Sequence, residues 1–335
     1  MQHLTVHKLI IKEQHGFVPK KNCISNLLET LDLISQAIEQ GYPIDIVFLD
    51  FAKAFDTVAH KRLGLRLFSY GFLDKLLNWI KAFLSNRLQR VVLGDDISEW
   101  IRVLSGVPQG SVLGALLFLI FINDLILNIP VSCNCKLYAD DTKLLSIIKC
   151  KSDCENLQIA IDKLVDWSKE WLLNFNNEKC KVMHIGKNNS DYKYLMESKM
   201  LSKTEIEKDL GVYLSKDLKW DFHINYMINK ANRVLGMIKH TFKYLDKNSL
   251  KLLFTSLVRP QLEYAATIWN PHSIGIGKIK QIENIQRRAT RIPSLKGLSY
   301  EDRLFELGLP TLEKRRNRGD LIEFFKIMKN KINLN

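Results

Sequence analysis

Apolar positions recur with a helical period and then with a strand-like pattern in the first fifty residues. From residue 24 to residue 38 they are spaced by three and four, which predicts a helix that ends at Gly41. The β-prone run 44–49 is typical of a central strand buried on both faces. Asp50 follows this strand directly. Since a lone buried charge is unfavourable, we expect this carboxylate to be paired, hydrogen-bonded or bound to a metal.

Helices and short strands alternate over the next fifty residues. Helical spacing covers residues 63–84 with a break at Gly71. Residues 87–93 and 100–104 alternate apolar and polar side chains on either side of a turn, as paired strands do. Asp56 is predicted to be the N-cap of the helix that follows it, because Asp is favoured at that position.

Two adjacent acids, Asp140 and Asp141, lie between two short apolar runs. This pattern predicts two strands with the acids at their turn. Adjacent carboxylates raise each other's pKa unless a cation lies between them, so a divalent metal site is one interpretation. A surface turn is the other, because Asp is common in turns. The pair alone favours the turn, whereas the pair together with Asp50 favours the metal site.

Residues 105–111 form a second informative segment. Two glycines and a proline precede a long apolar helix predicted over 111–127, so the backbone of this loop can approach a ligand closely. Placed between Asp50 and the acid pair, the loop is a candidate floor for a nucleotide. It lacks the Gly-Lys-Ser or Gly-Lys-Thr ending of a Walker phosphate loop.

Composition and charge narrow the class of protein. The chain has 335 residues, 46% of them hydrophobic, which is enough for a sizeable core, and a formal net charge of +13. This excess favours a polyanionic partner such as nucleic acid. The longest apolar run, 112–122, is too short to span a bilayer. The six cysteines are predicted to be reduced core thiols, which we favour over a zinc site because no histidine stands at zinc-finger spacing.

The motifs resemble those of a known family. Asp50 with Phe55, the loop 105–111 and the segment 138–141 look like motifs A, B and C of reverse transcriptases, in the same order. Segments 48–56 and 106–111 are similar to those of non-LTR (LINE-type) retrotransposons of the jockey and CR1 kind. The likeness continues in three further segments, which are residues 15–17, 258–264 and 282–288.

The resemblance implies an α+β fold with a right-hand polymerase palm. In such a fold an antiparallel sheet is backed by helices and joined to partial fingers and a helical thumb. The implied division is 1–43 as a remnant of the fingers, 44–215 as palm, 216–270 as thumb and 271–335 as a basic helical C-terminal region. Within the palm range, residues 63–104 are expected to form the fingers and palm helices and a hairpin. We expect the chain to be the N-terminally truncated, downstream part of a larger retrotransposon protein.

The resemblance also implies an activity, RNA-directed DNA polymerisation. This reaction would transfer a nucleotide from a dNTP to a primer 3′-hydroxyl with two Mg²⁺ ions, for which Mn²⁺ could substitute, on an RNA template with a DNA primer. It would take place inside the cell, in the nucleus, and would involve no membrane as a partner. The implied catalytic residues are Asp50, Asp140, Asp141 and Lys179, with Lys181 as the alternative to Lys179. The implied metal ligands are the carboxylates of Asp50, Asp140 and Asp141 and the backbone carbonyl of Phe51.

The same resemblance implies a nucleotide pocket. Phe55 corresponds to the bulky residue that would clash with a ribose 2′-hydroxyl, although it could instead be a core aromatic. The implied nucleotide-binding residues are Lys53, Ala54, Phe55, Gln109 and Gly110. Two alternatives stay open: an RNA-templated RNA polymerase, and a catalytically inactive copy that acts at most as a nucleic-acid-binding remnant.

Overall fold

The computed structural model describes residues 2–271 and 275–334 and divides into two compact units. The first unit extends to Glu205, and the second extends from Ile206 to Leu334. Met1, residues 272–274 and Asn335, which fall in the predicted segments 1–43 and 271–335, lie outside the described residues.

A five-stranded mixed sheet is the framework of the first unit. The strands of this unit are β1 (Ile44–Leu49), β2 (Leu88–Gln89), β3 (Val92–Leu93), β4 (Asp96–Ile97), β5 (Ile101–Arg102), β6 (Asn134–Tyr138), β7 (Asp141–Ile147), β8 (Lys181–Ile185), β9 (Leu195–Met196), β10 (Lys199–Met200) and β11 (Ser202–Lys203). The sheet has the order β11, β8, β1, β7, β6. β1 pairs antiparallel with both of its neighbours, and β11 runs parallel to β8.

The central strand is buried as its sequence predicts. Ile44, Ile46 and Val47 have no exposed surface, because helices and neighbouring strands cover β1 on all sides. Asp45 is also fully buried on this strand, and its carboxylate accepts hydrogen bonds from Asn189 Nδ2 (2.7 Å) and Tyr194 Oη (2.6 Å). Buried polar groups are stable when they are paired in this way.

Helices pack against the sheet and enclose one large apolar core. They are α1 (Gln2–Val6), α2 (Cys23–Glu39), α3 (Ala54–Thr57), α4 (His60–Ser69), α5 (Asp74–Leu84), α6 (Val112–Ile122) and α7 (Lys151–Trp171). α6 is almost wholly apolar, and its residues 117–122 are all buried. The core joins α6 and α7 to the strands of the sheet.

Three sequence predictions need correction. Asp56 is not an N-cap, because the chain turns at Lys53 with φ +51° and α3 already contains Asp56. α6 ends at Ile122 rather than at residue 127; the next residue, Asn123, uses its side chain to bind the backbone of residues 9 and 11. Cys150 is exposed at the start of α7 and is therefore no core thiol.

The second unit combines one hairpin with a set of helices. Its hairpin is formed by β12 (Ile206–Asp209) and β13 (Val212–Ser215). Its helices are α8 (Asp221–Thr241), α9 (Lys247–Leu253), α10 (Arg259–Glu263), α11 (Ala266–Trp269), α12 (Ile276–Ala289), α13 (Tyr300–Leu307) and α14 (Leu312–Met328), with a π-helical turn at Phe254–Val258 and a 3₁₀ turn at Pro293–Leu295. In the part of the chain that the structure describes, no helix is long and apolar enough to cross a membrane.

Candidate active site

The strand register brings the three predicted acids to one end of the sheet. Leu49, the last residue of β1, faces Thr142 of β7, and the same register places Asp50 opposite Asp141. Tyr138 pairs with Asp141, so Asp140 lies in the two-residue turn between β6 and β7. The hairpin that the sequence predicts around the acid pair is therefore confirmed.

The backbone of Asp50 is fixed by the chain that precedes β8. Its N–H donates to Cys180 Sγ (3.4 Å), and its carbonyl accepts from Asn176 N (2.7 Å). Burial raises the pKa of the Cys180 thiol to about 11, so this sulfur is uncharged at neutral pH. Next to it, the rings of Phe51 and Phe175 stack at 4.2 Å. Phe51 and Phe175 also form an isolated antiparallel bridge.

The side chain of Asp50 is less well paired than that of Asp45. Its Oδ2 atom is enclosed and, among the described residues, has no hydrogen-bond partner. The Lys179 ammonium lies 3.4 Å from this oxygen, without hydrogen-bond geometry, and the two side chains are 66% (Lys179) and 38% (Asp50) exposed. Ion pairs this exposed stabilise a protein by about 1 kcal/mol or less. A cation that binds Asp50 would therefore displace Lys179 at little cost.

Asp140 carries an unfavourable charge in the free protein. Burial raises the pKa of its carboxyl above the ordinary value, and the negative charge of Asp50 raises this pKa further. The strand register brings both acids to the same end of the sheet. Two neighbouring carboxylates favour a positive ion between them.

The donor set fits a hard cation that completes its shell with other ligands. Within residues 2–271 and 275–334, no three His, Cys, Asp or Glu side chains are close enough to enclose a metal ion. Mg²⁺ seldom uses an all-protein cage; it is commonly held by one or two carboxylates together with water and substrate phosphates. Asp50 and Asp140 provide carboxylates of this kind, and Asp141 begins the neighbouring strand as an exposed residue.

A cavity of about 530 Å³ lies beside Phe55. The ring of Phe55 stacks on the buried ring of Phe118 at 4.4 Å, so it both packs against the core and lines this cavity. The remaining lining residues are Phe17, Gln109, Gly110, Ser111, Val112, Ala115 and Leu116. Phe55 is thus a packed aromatic that also lines a cavity, and its role as a gate against ribonucleotides stays a prediction.

Backbone hydrogen bonds hold the loop 105–111 against the end of α3. Val107 N donates to Phe55 O (2.8 Å), and Gly106 N donates to Val58 O (2.9 Å). Gly106 has φ +85°, and a Cβ at this position would lie 2.6 Å from the carbonyl oxygen of Asp56, so glycine is required. These contacts bring Gln109 and Gly110 to the same cavity as Phe55. Lys53 and Ala54 follow Asp50 in the chain, at the left-handed turn that begins α3.

Comparison with known proteins gives the family. The family model described as reverse transcriptase (RNA-dependent DNA polymerase) matches residues 1–252. The chain belongs to the reverse transcriptase family. This match covers residues 50–55, the loop 105–111, the β6–β7 hairpin and Lys179, and so includes all the predicted site residues.

Its relatives include proteins of non-LTR retrotransposons. The chain is 28% identical over 282 residues to the RNA-directed DNA polymerase from mobile element jockey of Drosophila melanogaster, covering 79% of this chain and 30% of that protein. It is 24% identical over 291 residues to the probable RNA-directed DNA polymerase from transposon X-element of the same organism, covering 84% of this chain and 32% of that protein. This reverse transcriptase chain thus spans about a third of the length of the curated relatives that it matches.

A solved structure confirms the predicted fold class. Telomerase from Candida albicans, in complex with a fragment of telomeric RNA, has a TM-score of 0.50 with 9% identity, covering 88% of this chain and 54% of that chain. The mixed helix and sheet fold of a reverse transcriptase is therefore present.

Removing the half-buried charge of Asp140 should stabilise this reverse transcriptase in the absence of metal. We expect Asp140→Asn to raise the free energy of unfolding at pH 7 by about 0.5–2 kcal/mol, as substitutions that relieve strained functional sites do. Below the unfolded-state pKa of about 3.9, Asp140 is neutral in both states and the variant has no advantage. The gain in unfolding free energy of Asp140→Asn over the wild type should appear as the pH rises through the raised folded-state pKa of Asp140.

Chemical unfolding in EDTA, measured from pH 4 to pH 8, checks this expectation. Asp141→Asn, which removes the adjacent and exposed carboxylate, is the matched control and should change the unfolding free energy less. A gain for Asp140→Asn that is the same at all pH values would contradict the expectation.

Proposed function

We propose that this chain catalyses RNA-directed DNA synthesis, the transfer of a nucleotide from a dNTP to the 3′-hydroxyl of a primer. One observation carries the proposal: the strand register brings Asp50 and Asp140 to the same end of the sheet, in the same unit as the cavity lined by Phe55 and Gln109. Membership of the reverse transcriptase family supports the same reaction.

Asp50 and Asp140 would hold two Mg²⁺ ions, with Asp141 and the Phe51 carbonyl as further oxygen ligands. The ions would lower the pKa of the primer hydroxyl and neutralise charge on the triphosphate. The protein would position these oxygens around a common point. The hydrogen bonds to the Asp50 backbone fix the residue that carries the first carboxylate. Mn²⁺ prefers the same oxygen ligands and should replace Mg²⁺.

The cavity beside Phe55 would take the sugar and base of the incoming nucleotide. Gln109 and Gly110 line it as exposed residues, and the backbone N–H groups of Lys53 and Ala54, at the left-handed turn that begins α3, would face the triphosphate. The positive net charge would attract the RNA template and the DNA primer. We place this activity in the nucleus, on the likeness to retrotransposon proteins.

Lys179 is the proposed proton donor to the leaving pyrophosphate. Its ammonium already lies beside Asp50, and its high exposure leaves the side chain free to move to a phosphate. We expect Lys179→Met to lower kcat for dTTP incorporation by about 100-fold, the lower part of the range for a general acid. Lys181→Met, two residues further along in β8, is the matched control and should keep most of the activity. A larger loss in Lys181→Met would assign the role to Lys181 instead.

Primer extension tests the proposal. Purified protein should extend an oligo(dT) primer on poly(rA) with dTTP and Mg²⁺, and EDTA should abolish the reaction. The net charge of +13 would by itself suit nucleic-acid binding without catalysis, so a nucleic-acid-binding remnant is the second candidate. Protein that binds primer–template but never extends it, with Mg²⁺ or Mn²⁺, would establish that candidate. Extension of an RNA primer with UTP in preference to dTTP would indicate an RNA polymerase.

A further inference from the structure

We propose that Gln14 is a positioning residue of the active site: it holds the β6–β7 turn so that Asp140 faces Asp50. This inference rests on the proposed function, because it assigns Gln14 a role at the same metal site. Gln14 belongs to no pattern along the sequence, and its importance follows from its contacts in the fold.

The amide oxygen of Gln14 joins two backbone groups that are far apart in sequence. Oε1 accepts hydrogen bonds from Gly16 N (2.7 Å) and from Ala139 N (2.9 Å). The side chain is buried, with 2% of the residue exposed, so water cannot take its place as acceptor. Ala139 directly precedes Asp140, and the bond therefore fixes the residue from which Asp140 extends.

The segment that carries Gln14 is attached to the free edge of β6. His15 N donates to Leu137 O (2.8 Å), and Leu137 N donates to Glu13 O (3.0 Å). Asn26 Nδ2 donates to the same Leu137 carbonyl (3.1 Å) from α2. These bonds place Gln14 level with Leu137, and its side chain reaches past the end of β6 to the turn. The position of Gln14 is thus set by the sheet.

Close packing holds the segment of Gln14 against the turn. A Cβ on Gly16 would lie 2.4 Å from Ala139 N, so the two backbones touch. Ala139 has φ +55°, a left-handed conformation that is unfavourable for residues with a Cβ. Ala139 keeps this conformation while its N–H has an acceptor at the right place, and Gln14 supplies that acceptor.

Removal of the acceptor should disturb the metal site through Ala139. The buried Ala139 N–H would lose its hydrogen-bond acceptor. Rotation of Ala139 out of the left-handed region would let this N–H reach another acceptor. The same rotation would swing Asp140 away from Asp50. Residues that orient metal ligands typically change metal affinity or activity by about 10- to 100-fold when they are replaced.

The test compares Gln14→Met with Gln14→Glu. Methionine has a similar length and no comparable acceptor, whereas glutamate keeps an acceptor oxygen at the same reach. We expect Gln14→Met to weaken the binding of Mn²⁺ alone, measured by calorimetry on nucleic-acid-free protein, by about 10- to 100-fold. It should lower kcat with little change in KM for dTTP, and Gln14→Glu should restore most of the Mn²⁺ affinity.

Gln158→Met is the matched control. Gln158 Oε1 also accepts a backbone N–H, from Leu195 (2.8 Å), on α7 and away from the acids. This variant should bind Mn²⁺ as the wild type does. If Gln14→Met unfolds, the comparison is repeated in an Ala139→Gly background, where glycine adopts a positive φ without strain and the acceptor matters less. An undiminished effect of Gln14→Met in that background would overturn the inference.

The outcomes separate this inference from the proposed function. Wild-type protein that binds Mn²⁺ and extends primers, with a Gln14→Met variant that binds Mn²⁺ equally well, overturns the role of Gln14 alone. Wild-type protein that binds Mn²⁺ but extends nothing, with weakened binding in Gln14→Met, supports the role of Gln14 while the proposed function fails. Wild-type protein that neither binds Mn²⁺ nor extends primers overturns both.

Discussion

Asp140→Asn protein will extend a DNA primer on poly(rA) at least about a thousandfold more slowly than the wild type. The amide keeps the size of the side chain but loses the charge that would hold a divalent ion beside Asp50. Metal ions contribute several kcal/mol of transition-state stabilisation, and every 1.36 kcal/mol is about a factor of ten in rate. Single-turnover incorporation of dTTP, at saturating primer–template, measures this loss.

Two controls make the result specific to the site. Asp95→Asn removes the same charge from an exposed position between β3 and β4, where we expect no change in rate. Primer–template affinity of Asp140→Asn, measured by fluorescence anisotropy in EDTA, should equal that of the wild type. Wild-type extension rates in Asp140→Asn would refute the assignment of Asp140 as a metal ligand. Weaker binding with unchanged rates at saturation would refute it as well.

The sequence predicts those parts of the site that depend on local pattern. The apolar run 44–49 has the composition of a central strand, and the apolar residues around Asp140 and Asp141 fit a hairpin. Once both are recognised as neighbouring strands, the acids must meet, because the antiparallel register aligns the end of β1 with the start of β7. The glycines of the loop 105–111 similarly mark backbone that packs closely, as Gly106 does against Asp56.

Other parts depend on contacts that no local pattern contains. Asp56 has the composition of an N-cap, yet the left-handed turn at Lys53 starts the helix earlier. Gln14 is one polar residue among mixed neighbours, and its partner Ala139 is 125 residues away. The one available signal is its position two residues before Gly16, a glycine in a segment that resembles the family. A polar residue next to such a glycine could have been tested as a backbone ligand.

Phe55→Val should relax the selection against ribonucleotides by about one to two orders of magnitude. Phe55 is held by Phe118, so its ring occupies a fixed place at the wall of the cavity. We expect this ring to exclude a ribose 2′-hydroxyl by steric overlap, and valine would leave room for that oxygen. Differences of one or a few heavy atoms in a pocket typically change discrimination by about 10- to 200-fold.

The measurement is the ratio of kcat/KM for dTTP to that for UTP, on the same poly(rA) template. Phe83→Val is the matched control, because Phe83 is a partly buried aromatic that stacks on Trp79 in α5 and does not line the cavity. We expect the ratio to fall in Phe55→Val through a rise in kcat/KM for UTP, and to stay at the wild-type value in Phe83→Val. A ratio that is unchanged in Phe55→Val would make Phe55 a packing residue of the core. An equal fall in both variants would attribute the change to a loosened fold, because Phe83 does not line the cavity and cannot contact the sugar there.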